Sequence, residues 1–253
     1  MHNLFLRRLT LACAPLITLA ACGGGDTQDR LGVADPAVRF VHASQGAPNV
    51  TLYRADVAQS DATNVNYQFA SDYFDVSTGT ADWPVKTAVG GATVGSVNIV
   101  PKRGTKYTIV ALPTSAAGTG VYMIVDPYNK SLTSDSTHLR ILNASYNLSS
   151  VDLYMNPVGT DISGAGVNPT IAATAFNTSG PASGSDSLDI PGGTYQLTVT
   201  AAGSKTVLFK GQLGFAANKD VLLLTVPDLV SAGGVKVLAK IGGTAGAADV
   251  PAL

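Results

Sequence analysis

Val38-Arg39-Phe40-Val41-His42-Ala43-Ser44 runs on through Ala47-Pro48-Asn49-Val50-Thr51-Leu52-Tyr53, and the same order returns 101 residues later. The second version reads Leu139-Arg140-Ile141-Leu142-Asn143-Ala144-Ser145, followed by Ser149-Ser150-Val151-Asp152-Leu153-Tyr154. Each time an apolar residue, an arginine, two apolar residues, a polar residue, Ala and Ser precede a second apolar run ending in Leu-Tyr. The pattern describes one β-rich unit used twice.

A second block recurs at a larger offset. Ser71-Asp72-Tyr73-Phe74-Asp75-Val76 matches Ser185-Asp186-Ser187-Leu188-Asp189-Ile190, 114 residues on. The same offset carries Trp83 onto Leu197, Gly104 onto Asn218 and Pro113 onto Pro227. The 13-residue excess over the first offset is an insertion in the second copy, between Tyr154 and Ser185. Gly and Ser are frequent there, and surface loops tolerate such additions.

Composition agrees with a β-protein. A chain of 253 residues suits two units of roughly 100 each. There is no Glu, so all 17 acidic residues are Asp. Asp prefers caps and turns, whereas Glu suits helix interiors. With 27 Gly and 13 Pro, short strands joined by turns are expected. In the first copy strands are predicted at 38–43, 50–54, 65–69, 73–76, 83–87, 93–100, 106–112 and 121–125, and the second copy repeats them. Residues 107–112 and 221–226 are apolar on both faces and are predicted to be central. Gly104 and Asn218 are the residue types that best tolerate positive φ, which predicts a tight turn before each of those strands. The expected fold is all-β: two tandem immunoglobulin-like β-sandwich domains, 36–133 and 134–241, after a lipoprotein signal peptide. Residues 242–253, rich in Gly and Ala, are expected to be a disordered tail.

The N-terminal segment carries an address. Residues 1–21 read as an export signal, with Arg7 and Arg8 followed by an apolar run too short to span a bilayer. The run ends in Leu19-Ala20-Ala21-Cys22, followed by Gly23-Gly24-Gly25. This stretch resembles a bacterial lipobox. The resemblance implies that the Cys22 sulfur receives a diacylglycerol and that cleavage leaves an acylated Cys22 as the new N-terminus. Two or more acyl chains give stable membrane anchoring. By analogy with lipoproteins of Gram-negative bacteria, Gly23 after Cys22 implies the outer membrane. Residues 22–35 are expected to be a flexible tether. Cys13 falls in the leader, so the mature chain would keep no free thiol or disulfide, and packed cores must hold it together.

The Val-Arg-Phe-Val-His-Ala-Ser pattern with its Ala-Pro-Asn-Val-Thr-Leu-Tyr continuation resembles the bacterial envelope family called domain of unknown function 4397. The later apolar-Gly-Thr turn and Gly-x-x-Tyr-Thr strand fit it too. The resemblance covers both repeats, roughly 36–241, and is weaker in the second, where Asn143 replaces the usual His. It implies secreted or anchored tandem β-domains. It implies no activity.

Chemistry-bearing residues are few. His42 as a base or metal ligand is the functional reading, but Asn143 holds its place in the second copy. Both can hydrogen-bond a neighbouring loop backbone, so a shared structural role is expected. His138 opens the second unit with no visible partner. Two histidines without Glu or thiol leave little material for zinc, and no metal or cofactor is expected. Asp72/Asp75 and Asp186/Asp189 recur as pairs. A spacing of three along a strand points such carboxylates to opposite faces, so turn capping is expected rather than Ca²⁺ binding. Trp83 aligns with Leu197 and is expected in the core. Tyr53 and Tyr154 share a site, and with Tyr67, Tyr73 and Tyr146 could form an aromatic patch, although tyrosines usually pack at sheet rims. No nucleophile elbow, phosphate loop, dinucleotide fingerprint or His-Glu-x-x-His occurs. Net charge is −1, or about −3 without the leader, and no basic stripe is present, which argues against nucleic acid as a partner.

The expectation is therefore a lipid-anchored, non-catalytic protein of the cell envelope displaying two sandwich modules to a protein or glycan. The alternative is an envelope hydrolase acting on a cell-wall or polysaccharide substrate, with Asp acids in the insertion, two carboxylates lying ~5–10 Å apart in a cleft. A structural spacer without a ligand is the third reading.

Overall fold

The computed structural model describes residues 24–231 and 233–253. Residues 1–21, expected as a signal segment, and Cys22, the expected lipidation site, lie outside the described residues. The chain opens with α1 (Gly24–Arg30) and continues through β1 (Ala37–His42), β2 (Val50–Arg54), β3 (Val57–Ala58) and β4 (Phe74–Asp75). Next come β5 (Ala81–Thr87), β6 (Thr93–Ile99), β7 (Lys106–Pro113) and β8 (Thr119–Asp126). The second half carries β9 (Thr137–Asn143), β10 (Ser150–Asn156), β11 (Ile171–Ala175), β12 (Thr178–Gly180) and β13 (Leu188–Ile190). It ends with β14 (Gly193–Ala201), β15 (Val207–Phe215), β16 (Asp220–Asp228), β17 (Gly234–Ile241) and β18 (Ala248–Asp249). Among the described residues no helix is long and apolar enough to cross a membrane.

Each half makes two facing sheets. The first half pairs β4-β1-β7-β8 in one sheet and β3-β2-β5-β6 in the other. The second half repeats this with β12-β9-β16-β17-β18, where β13 also pairs with β9, and with β11-β10-β14-β15. The result is all-β, with two sandwich-like units. At the centre of each inner sheet the pairing is parallel: β1 runs beside β7 and β9 beside β16. That differs from the antiparallel sheets of an immunoglobulin sandwich. A parallel pair needs a crossover, and here the outer sheet of each half supplies it.

The central strands are apolar on both faces because each faces two interiors. On β7, Tyr107, Ile109 and Ala111 join Val38, Phe40, Trp83 and Val85 in the first core. On β16, Val221 and Leu223 join Leu139, Ile141, Leu197 and Val199 in the second. The alternate residues, Val110 and Leu112 on one side and Leu222, Leu224 and Val226 on the other, meet in a third cluster with Val41, Ala43, Leu142 and Ala144. The two inner sheets thus pack back to back, giving four layers with an apolar cluster at the seam in the middle. Fully burying one such aliphatic side chain contributes roughly 1.5–3 kcal/mol, so the seam rivals a domain core.

Three expectations need correction. No strand forms at 65–69: Val65 makes one isolated bridge to Val50, and Asn64 and Gln68 take positive φ of 52° and 69°, which an extended strand cannot accommodate. The tether 22–35 is not wholly free, since α1 and the residues after it dock on the body. Asp29 Oδ2 lies 3.0 Å from Lys106 Nζ, and Arg30 donates to the Ser131 carbonyl at 2.7 Å. Nor is the tail 242–253 disordered. Strand β18 pairs with β17, Ala247 N–H donates to the Gln68 carbonyl in the first half, and Val250 is buried.

Candidate functional site

The recurring arginines come together at the seam. On β1 and β9, Arg39 and Arg140 alternate with core residues and so point into the seam, at its polar end. Arg39 donates to Thr108 Oγ1 and lies 4.5 Å from the Tyr73 ring centroid. Arg140 donates to the carbonyls of Pro181, Ala182 and Ser185 and lies 3.4 Å from Asp126 Oδ2 across the seam. Lys106 pairs across it with Asp220 at 3.6 Å. Burial alone would lower the Lys106 ammonium, but Asp220, together with Tyr128, Tyr73 and Asp29, raises it. Between these groups lies a cavity of about 20 Å³ bordered by Arg39, Asp126, His138, Arg140 and Asp220, room for one water.

Part of this charge arrangement is written in the sequence. The offset that pairs the two copies sets Lys106 on Asp220 and Asp126 on Lys240. Charge is reversed between these equivalent positions, which suits two copies of one sheet facing each other.

His42 is fully buried. Its Nε2 lies 3.2 Å from the Pro48 carbonyl, and its Nδ1 accepts the Ser44 N–H at 3.4 Å. A carbonyl only accepts and an amide N–H only donates, so the ring is the neutral Nε2–H tautomer. Burial lowers its pKa, partly offset by the Pro48 bond. Asn143 does the same work: its Oδ1 accepts the Ser145 N–H at 3.1 Å, while its Nδ2 donates to the carbonyls of Leu148 and Thr174. A structural role explains both.

The aspartates do more than cap turns. Asp72 crosses to the second half, accepting from Lys240 Nζ at 2.9 Å and from Gly243 N–H. Desolvation pushes its carboxyl up, but Lys240 and Gly243 together hold it below the usual carboxylate range. Asp186 accepts from Asn129 in the linker. Asp189 lies 3.2 Å from His138 Nε2 without a hydrogen bond between them. So His138, expected to lack a partner, is buried against Asp189 and the Tyr128 ring, 5.0 Å away. Asp75 is exposed on β4. Trp83 and Leu197 are both fully buried in their cores. The tyrosines do not converge: Tyr73 lies at the polar end of the seam, Tyr67 packs on the seam cluster, and Tyr146 borders a hollow beside Ala43 and Val226. Among the described residues no group of three or more His, Cys, Asp or Glu could hold a metal ion.

What remains is the insertion. After β10 the chain loops through 157–170 and lies over the outer face of its own sheet. Gly159 N–H donates to Gln196 Oε1, and Gln196 Nε2 donates to the Thr160 carbonyl. Because Leu197 and Val199 face the core, Gln196, Thr198 and Thr200 face outward, yet they are only 2%, 1% and 0% exposed. The loop and its neighbours bury them. Asp152 has both carboxylate oxygens taken by the N–H groups of Ala173 and Gly203. Tyr154 is buried with Lys205 Nζ 4.8 Å from its ring centroid. Its counterpart Tyr53, on the bare face of the first half, has Lys86 Nζ 4.8 Å away instead.

At the edge of the insertion a cleft of about 180 Å³ opens between Asp161, Ile162, Gln196, Thr198, Val207 and Lys210. The Thr198 hydroxyl is buried there with no hydrogen-bond partner. Asp161 is held ionised, below the ordinary range, by the N–H and hydroxyl of Ser163. The cleft offers a fixed acceptor, a lysine ammonium and aliphatic walls, with the Thr198 hydroxyl buried beneath its floor. Asp161 is the one carboxylate bordering it, so the pair required by the hydrolase expectation is not assembled in this cleft.

Comparison with known proteins finds a family match over part of the chain. Residues 36–154 match the family described as Domain of unknown function (DUF4397). This is one match, where the repeat led us to expect two copies. It begins at the first sandwich and ends at Tyr154 on β10. No curated protein matches the sequence. Among solved structures, the family 26 carbohydrate-binding module of Eubacterium rectale Amy13K, crystallised with maltoheptaose, is 9% identical, with a TM-score of 0.23. That comparison covers 83% of this chain and 97% of the other. A structure of α-glucan recognition by family 41 carbohydrate-binding modules from streptococcal virulence factors is 12% identical, with a TM-score of 0.20, covering 75% and 93%. Neither overlay bears on the ligand of this chain.

Proposed function

We propose that this is a lipid-anchored, non-catalytic protein of the cell envelope, held in the outer membrane through Cys22, that binds a hydroxyl-rich ligand in the insertion cleft. A glycan is the ligand class. One observation carries this reading: the polar residues shared by the two copies mostly hold the sandwiches together and fix loops, whereas the cleft exists only where the second copy departs from the first. A sugar suits it because a fixed carboxylate and an ammonium can meet several hydroxyl groups, while the exposed Val207 can face the apolar C–H side of a ring. The anchor is supported by the lipobox pattern ending at Cys22.

Affinity electrophoresis in gels containing envelope polysaccharides tests the ligand. The native chain is expected to be retarded, and Lys210→Ala and Asp161→Asn to lose roughly tenfold in affinity, about 1.4 kcal/mol. Retardation unchanged in both variants but lost in Tyr53→Ala would move the site to the bare face of the first sandwich. Palmitate labelling of the native chain and not of Cys22→Ala tests the anchor.

A further inference from the structure

We infer that the end of the molecule carrying α1 rests in the headgroup layer of the anchoring membrane, with Leu31, Val33, Val100 and Leu132 as its apolar contacts. The inference builds on the proposed Cys22 anchor and says how the body sits on it. The first strands of both halves start at this end. β1 and β7 run parallel from it, as do β9 and β16, and the Lys106–Asp220 pair brings the two starts together.

The connection is short. Two peptide steps separate Cys22 from the first residue of α1, Gly24, a reach of ~7 Å. By the end of α1 the chain is already tied to the body. Arg30 donates to the carbonyls of Ser131 and Ser134 in the linker and to Asn218 Oδ1. Arg103 then donates to the Val33 carbonyl. A seven-residue helix adds roughly 10 Å, so the docked Arg30 lies at most ~17 Å of chain from Cys22. That short reach keeps this end of the body close to the lipid.

This end also presents the right chemistry. Leu31, Val33, Val100 and Leu132 are each 54–57% exposed. They cluster around α1: Leu31 and Val33 follow it directly, Leu132 accepts from Arg30 through its carbonyl, and Val100 opens the loop whose Gly104 N–H donates to the Ala34 carbonyl. Charges of both signs sit here and are paired, Arg103 with Asp35 and Lys106 with Asp29 and Asp220. The contact is therefore with the glycerol and acyl boundary of any bilayer and does not depend on anionic lipid. Exposed aliphatics also occur at the opposite end, at Val89 and Val230, and these serve as the control.

The mature acylated chain has no free thiol, so single cysteines label uniquely. Val33→Cys, Val100→Cys and Val89→Cys are each coupled to an environment-sensitive fluorophore, and the protein is reconstituted into phosphatidylcholine vesicles containing spin-labelled lipid. Labels at 33 and 100 are expected to be quenched several-fold more than the label at 89, equally with and without added phosphatidylglycerol. A protein that co-floats with the vesicles but shows equal, weak quenching at all three sites overturns this orientation and leaves the anchor standing. Quenching at 33 and 100 only in anionic vesicles overturns the apolar contact. A chain that carries no acyl group and does not co-float overturns the anchor and this inference with it.

Discussion

His42 shows how a residue with catalytic potential is spent on structure. Its ring must stay neutral to accept from Ser44 while donating to Pro48. Burial lowers its folded pKa, so the unfolded chain binds the proton more readily. Stability from this site is fully present above the unfolded histidine pKa of about 6.5 and is lost as pH falls toward the folded value. His42→Asn, which copies the second half, is expected to fold within about 1 kcal/mol of the native chain at pH 7.5 and to lose less stability on acidification. Urea midpoints at pH 7.5 and 5.0 for both proteins check this. An equal or larger acid loss in His42→Asn would refute it. This much was legible in the sequence, because the His/Asn exchange at one repeat position limits the role to what both side chains can do.

At the scale of elements, the turn before each central strand was legible for the same reason. Gly104 and Asn218 do take positive φ, at 68° and 61°. What the sequence did not reveal is what each turn touches. A Cβ on Gly104 would lie 2.6 Å from the Gly32 Cα, because the segment after α1 nests against the turn. Asn218 Oδ1 accepts from Arg30. These contacts join residues far apart in sequence, and no local periodicity records them; hence the tether expectation. Gly104→Ala is expected to cost about 2 kcal/mol and to free the N-terminal segment for limited proteolysis between residues 24 and 36. Asn218→Gly keeps the turn and is expected to leave the central strand intact while weakening the Arg30 dock. Protease resistance of the 24–36 segment in Gly104→Ala would contradict the nesting. The covered face of the second half escaped the sequence for a similar reason: Gln196, Thr198 and Thr200 alternate with core residues as exposed strand residues would, and only the loop from far upstream buries them.

Across the whole molecule, the repeat was visible as two units, but their relation was not. Apolar residues on both faces of 107–112 and 221–226 marked strands buried on two sides. Two readings satisfy that pattern: a central strand within one large core, or a sheet shared between a core and an interface. The second holds, and the reversed charges at Lys106/Asp220 and Asp126/Lys240 were the signal that separates them. The seam predicts that the halves do not melt independently. Leu224→Asp would bury an unpaired carboxylate among Val41, Val110 and Leu142, at a cost of roughly 4 kcal/mol or more. Differential scanning calorimetry of the soluble chain is the direct test. One transition with equal calorimetric and van't Hoff enthalpies, split or shifted well down by Leu224→Asp, is the predicted result. Two separate transitions in the native chain, both untouched by Leu224→Asp, would contradict the seam.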